Sequence, residues 1–137
     1  LVKDKGLSKN IVFVGQVNEG QKKFIFEIAD LMIMPTIDKS ESNSIEGFGI
    51  SYIEAAFFSI PSIATNVGGT SEAVINGLTG IIVNKIDKLH DVILNLLENK
   101  EKIISLGNTA KQRALKNFKW EIVSKNHIST YKKNNII

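Results

Sequence analysis

Apolar residues recur along the chain in two rhythms, short runs of four and stripes at helical spacing. Ile11, Val12, Phe13 and Val14 form a run closed by Gly15, the pattern of a strand buried on both faces of a parallel sheet, so residues 10–15 are expected to be a strand. Residues 22–29 predict a helix, with Phe24, Ile28 and Leu31 on one stripe. Residues 31–34 predict a second strand stopped by Pro35. Residues 36–44 are polar and aperiodic, which predicts an exposed loop. A helix over 50–58 follows, and Pro61 then introduces a strand over 62–65. Gly68 and Gly69 turn the chain into a short helix over 71–75, and Asn76-Gly77 predicts a tight turn before a strand over 81–83. Beyond Val83 the helical rhythm takes over. Asp87 is expected to cap a helix over 88–98 whose stripe is Leu89, Val92, Ile93, Leu96 and Leu97. Two further helices are predicted over 101–117 and 120–132.

Strands alternating with helices, then a helical tail, predict an α/β fold built on an open parallel sheet. The 137 residues suit one domain. No internal repeat, low-complexity block or linker divides them. Ligands of such sheets bind where strands end and helices begin, which directs attention to residues 15–20, 35–51 and 66–72.

Composition narrows the function only by exclusion. The chain is 43% hydrophobic and 23% charged, the ordinary balance of a globular protein. No apolar run approaches the roughly 20 residues that span a bilayer, and no signal sequence opens the chain. The absence of cysteine removes disulfide frameworks and thiolate metal sites and fits a reducing compartment. The net charge is +3. Lys111, Arg113, Lys116, Lys119, Lys125, Lys132 and Lys133 are read as a solvated helical face, with attraction to anionic lipid as the alternative. No aromatic residues interleave with these charges to form a stacking platform, so nucleic acid is not an expected partner. The chain starts at Leu1 and enters an apolar run at once, which suggests a piece of a longer protein.

Residues 46–54 carry the chemistry. A polar loop passes through Gly47 and Gly49 and enters a helix whose first turn holds Ile50, Ser51 and Tyr52. Glycines let the backbone approach a ligand closely or take positive φ. The free amides at a helix start are a suitable receptor for a diphosphate. Glu46 precedes the helix and Glu54 lies about one turn inside it, so both can accept hydrogen bonds from sugar hydroxyls. Alone, a glutamate near a helix start also reads as dipole compensation.

The wider stretch from Ile45 to Glu72 resembles the signature region of glycosyltransferase family 4. The matching residues are Glu46, Gly47, Phe48, Gly49 and Ile50, then Ile53, Glu54, Ala55 and Ala56. They continue with Ile60, Pro61 and Thr65, then Asn66, Gly68, Gly69 and Glu72. The two acids keep the family's spacing of seven intervening residues. Further matches are Phe13-Val14-Gly15, Ala29-Asp30-Leu31, Met34-Pro35, Asn76-Gly77 with Gly80, and Phe118 with Trp120-Glu121. The resemblance implies a Rossmann-like domain, the C-terminal, donor-binding half of a two-domain GT-B enzyme, covering residues 1–137 as a single nucleotide-sugar-binding domain.

It further implies a retaining glycosyltransferase that moves a hexose from a nucleoside diphosphate, UDP before others, to a hydroxyl acceptor. Glycan, lipopolysaccharide or capsule synthesis would be the setting, with a glycan or lipid-linked sugar as acceptor. Glu46 would be the catalytic-site carboxylate on the donor sugar. Gly47, Phe48, Gly49, Ile50 and Ser51 would hold sugar and diphosphate. Glu54 would bind the ribose, Gly15, Gln16 and Val17 would pack beside the base, and Gly68 and Gly69 would keep the neighbouring turn small. No cofactor and no metal are implied. There is no Asp-x-Asp, and His90 and His127 are read as solvated helix residues. The implied location is cytoplasmic, with peripheral contact at the inner face of the plasma membrane as an option.

Several departures limit this. The family's Arg and Lys beside the leaving diphosphate lie upstream of Leu1, and Lys3, Lys5 and Lys9 do not match them. The acceptor-binding domain has no counterpart here, so the chain by itself is expected to bind donor weakly and not to turn over. Lys119 replaces a small residue, and residues 36–45 form a longer, more polar loop. The competing readings are a sugar-nucleotide epimerase or phosphorylase of the same architecture, and a non-catalytic nucleotide-binding or interaction module.

Overall fold

The computed structural model describes residues 1–37 and 46–134; the loop expected at 36–45 lies mostly outside them. Three short parallel strands, β1 (Met32–Met34), β2 (Ser62–Thr65) and β3 (Gly80–Val83), form a sheet in the order β1-β2-β3. Ser62 pairs with Met32 on one side and Gly80 on the other. All four residues of β2 are buried, as a strand with neighbours on both edges and helices on both faces must be.

Because side chains alternate across a strand, the sheet divides the core in two. Ala64, with Met32, Met34 and Ile82, faces Tyr52, Ile53 and Ala56 of α2 (Ile50–Phe57). The same layer takes in Ala73 of α3 (Thr70–Ala73), Val74, and Ala110 and Ala114 of α5 (Lys100–Asn117). On the opposite face, Ile63, Val83 and Ile81 meet Leu89, Val92, Ile93 and Leu96 of α4 (Leu89–Leu97), together with Leu106 of α5. At about 1.5 Å rise per residue, α5 is long enough to serve both layers. The final helix, α6 (Trp120–Lys133), buries no residue. The architecture is a Rossmann-like open parallel sheet flanked by helices, with a helical tail, as expected.

The expected strand at residues 10–15 does not form. Val12 is 79% and Phe13 81% exposed, and no strand among the described residues pairs with them. An apolar run becomes a strand only where a sheet edge takes its backbone hydrogen bonds, and this run lies instead along α1 (Glu19–Ile28). Val12, Val14 and Val17 face Phe24, Ile25 and Ile28 across a groove of about 620 Å³. Phe24 and Ile28 therefore stay exposed, and α1 has no buried residue.

Helix α1 starts three residues before the predicted one. The Asn18 side chain accepts from the Gln21 amide at 2.9 Å while the Gln21 side chain accepts from the Asn18 amide at 3.0 Å, a reciprocal cap. Asp87 does not cap α4: it lies in a 3-10 turn, Ile86–Lys88, and Lys88 takes the capping position without a side-chain bond. Leu97, assigned to the α4 stripe, is exposed: its neighbour Leu96 takes the buried position in that turn, and one residue further turns the side chain about 100° away from the sheet. The remaining helices and strands agree with expectation to within two residues.

Candidate functional site

Three chain segments meet at the carboxyl ends of β1 and β2. The first is the start of α2. Gly49 precedes it with φ +87° and ψ 65°, a left-handed conformation that glycine adopts without steric cost. A Cβ there would lie 2.5 Å from the Tyr52 ring. No side chain caps this helix. The Tyr52 amide turns back to the Gly49 carbonyl at 3.0 Å, and the Ile50 and Ser51 amides belong to the first turn, which has no intrahelical acceptor. Tyr52 fixes the helix in place: it is buried, and its hydroxyl donates to the Met34 carbonyl at 2.8 Å at the end of β1. Burial pushes its phenol above the ordinary value, and the charge of Glu46 adds to the effect.

The second segment is the turn after β2. The Gly69 amide donates to the Glu46 carbonyl at 3.1 Å, and a Cβ on Gly69 would lie 1.9 Å from the Gly47 carbonyl oxygen. Nothing larger than glycine fits between these two backbones. Buried Thr70 secures the turn, its hydroxyl donating to the Thr65 carbonyl at 2.6 Å and accepting from the Val67 amide at 3.2 Å. The end of α5 then braces both segments. Arg113 donates to the carbonyls of Ala73 and Glu72 at 2.7 and 2.6 Å. Its guanidinium lies 4.8 Å from the centre of the Phe118 ring, and Phe118 packs against Phe48 with ring centres 5.7 Å apart. Arg113 is therefore separated from the solvated basic face predicted for it, whereas Lys111, Lys116, Lys119, Lys125, Lys132 and Lys133 are exposed.

The third contribution comes from α1. Lys22 reaches across to Glu54, Nζ to Oε1 at 2.7 Å, and to Glu19 at 3.1 Å. Glu54, then Glu19, hold the Lys22 ammonium above its ordinary value.

Glu46, Gly47, Phe48, Gly49, Ile50 and Ser51 thus lie together with Gly68 and Gly69. Glu54 stands half-exposed on α2. Gly15, Gln16 and Val17 make no direct hydrogen bond to this group among the described residues and join it through α1. His90 and His127 are on exposed helical positions. Among the described residues no three histidines or carboxylates gather as a metal site requires.

Sequence reasoning missed Lys22, Arg113, Tyr52 and Thr70. Asn18 and Gln21 carried the capping spacing that would have started α1 early enough to place Lys22 in its first turns. Nothing local marks Arg113, whose partners are 40 and 41 residues away.

A family model, described as glycosyl transferases group 1, matches residues 1–113. The chain belongs to this family. Among curated relatives, it is 26% identical over 126 residues to a GDP-mannose-dependent alpha-(1-6)-phosphatidylinositol monomannoside mannosyltransferase of Mycobacterium tuberculosis. The match covers 90% of this chain and 33% of that protein. Among solved structures, sucrose-phosphate synthase of Thermosynechococcus elongatus superposes with a TM-score of 0.82 at 26% identity, over 98% of this chain and 33% of that one. Anabaena HepE, crystallised with UDP-glucose, gives 0.79 at 20% identity over 96% and 35%, a likeness of fold. The chain spans about a third of the length of the relatives it matches. No helix of the described residues is long and apolar enough to cross a membrane.

Proposed function

We propose that this chain is the donor-binding, C-terminal part of a retaining group 1 glycosyltransferase that passes a hexose from a nucleoside diphosphate to a hydroxyl acceptor. The observation that carries the proposal is the uncapped start of α2, opened by Gly49 and flanked by Glu46 and Glu54. Amides of Gly49, Ile50 and Ser51 would receive the diphosphate, where the partial positive charge of the helix end favours an anion. Glu46, its backbone pinned by Gly69, would accept hydrogen bonds from the sugar hydroxyls. Phe48, supported from behind by Phe118, would wall the sugar pocket. Glu54 would take the ribose, and Gly15 to Val17 would lie beside the base.

The rate gain in such a transfer comes from stabilising the charge that develops on the leaving diphosphate and from positioning the acceptor. Helix amides do this without a metal ion. UDP is the favoured nucleotide, with GDP the alternative that the mannosyltransferase relative suggests. The acceptor would be a glycan or lipid-linked sugar bound by another part of the protein, in glycan, lipopolysaccharide or capsule synthesis at the cytoplasmic face of the membrane.

The test is donor hydrolysis and transfer by the intact protein with a panel of UDP-, GDP- and ADP-sugars. Removal of a charged hydrogen-bond partner from the sugar, Glu46→Ala, is expected to lower kcat/KM by about a hundredfold. Unchanged turnover in that variant would sink the site assignment, and activity with none of the donors would return the chain to a non-catalytic binding module.

A further inference from the structure

Helix α1 is joined to α2 by two rungs. Lys22 meets Glu54 at 2.7 Å, and one turn further along α1 Phe26 stacks on Phe58, the residue that closes α2, with ring centres 5.5 Å apart. The rungs flank a pocket of about 420 Å³ lined by Glu19, Lys22, Phe26, Glu54 and Phe57 among others. Apart from these rungs, α1 contributes no buried residue that would anchor it to the sheet. The chain leading into α1 is the segment 15–17, fixed at its join by the Asn18–Gln21 cap.

We propose that Lys22 is a positioning residue for the nucleoside end of the donor, a role that rests on the reading of Glu54 as the ribose carboxylate. Its ammonium occupies one oxygen of Glu54, Oε1, so the carboxylate is held in one rotamer with Oε2 left to accept from the ribose hydroxyls. A carboxylate one turn inside a helix that receives a diphosphate would repel it, and the lysine charge cancels that repulsion. The same contact sets the distance between Glu54 and the loop 15–17, coupling the ribose contact to the base contact. An ordinary ion pair at this level of exposure, about one third for each side chain, contributes little to stability. Its effect is therefore expected in selectivity and not in folding.

The experiment measures binding of UDP, GDP and ADP, each beside its 2′,3′-dideoxy counterpart, to the intact protein by titration calorimetry. Wild type, Lys22→Met, Lys22→Arg and Glu54→Gln are compared, with Tm recorded for each. Wild type is expected to prefer the ribonucleotide, and Glu54→Gln to lose that preference. Lys22→Met should reduce the preference about tenfold, the worth of one oriented hydrogen bond to a charged group, with little change in Tm. Lys22→Arg should restore most of it. A Lys22→Met protein that keeps the full preference overturns the positioning role and leaves the Glu54 reading intact. Absence of binding, of discrimination in wild type, or of its loss in Glu54→Gln overturns the ribose reading and the role of Lys22 with it.

Discussion

The run Ile11 to Val14 is more apolar than Ser62 to Thr65, yet the first is exposed and the second is the most buried strand of the molecule. β2 has a partner on each edge and a helix layer on each face. Val12 and Val14 lie against α1, no strand among the described residues pairs with the run, and Val12 and Phe13 face solvent. Hydrophobicity selects candidates for burial, but the available hydrogen-bonding edge decides which candidate is taken.

The sharpest way to break this comparison is to truncate an aromatic residue of the first run and the aromatic residue of α2 that packs in the core with Ala64 of β2. Tyr52→Ala should cost about 3 to 5 kcal/mol in urea denaturation, the usual loss for a large buried side chain. Phe13→Ala, from an 81% exposed position, should stay within about 0.5 kcal/mol. Comparable losses would mean that the N-terminal run is as much a part of the core as β2. Next in size is Gly69→Ala, whose new methyl would meet the Gly47 carbonyl and should cost about 1 to 3 kcal/mol while weakening donor binding in the same sample. A variant that binds donor normally would contradict the close fit of the two loops.

The smallest effect concerns how α1 is attached. Its tie to Glu54 requires a charged Lys22, and partners raise the lysine above its ordinary 10.5. The contribution is therefore complete below pH 10.5 and is lost as pH rises through the raised value. Amide exchange in α1, corrected for intrinsic rate, should show an alkaline step that is missing in Lys22→Met. An identical step in both would place the attachment elsewhere.

What could be read from the sequence follows the same division. Pro35, Pro61 and the Asn76-Gly77 turn bound the three strands well because they act locally, and the glycines at 47 and 49 announced the helix entry for the same reason. The pairing that left residues 10–15 outside the sheet is not local, and neither is the brace from Arg113 to Glu72 and Ala73. Lys22 was hidden differently: its helix start depended on a side-chain cap at Asn18, upstream of the apolar stripe used to place the helix.

Arg113 and Phe118 lie far down the chain from the loops they support, which has a consequence for exchanging parts between relatives. The segment 46–73 is a natural unit to transplant if donor preference is to be altered. Moved alone, it would leave behind the guanidinium that holds the α3 carbonyls and the ring behind Phe48. A chimera intended to inherit the pocket therefore has to inherit the end of α5 as well.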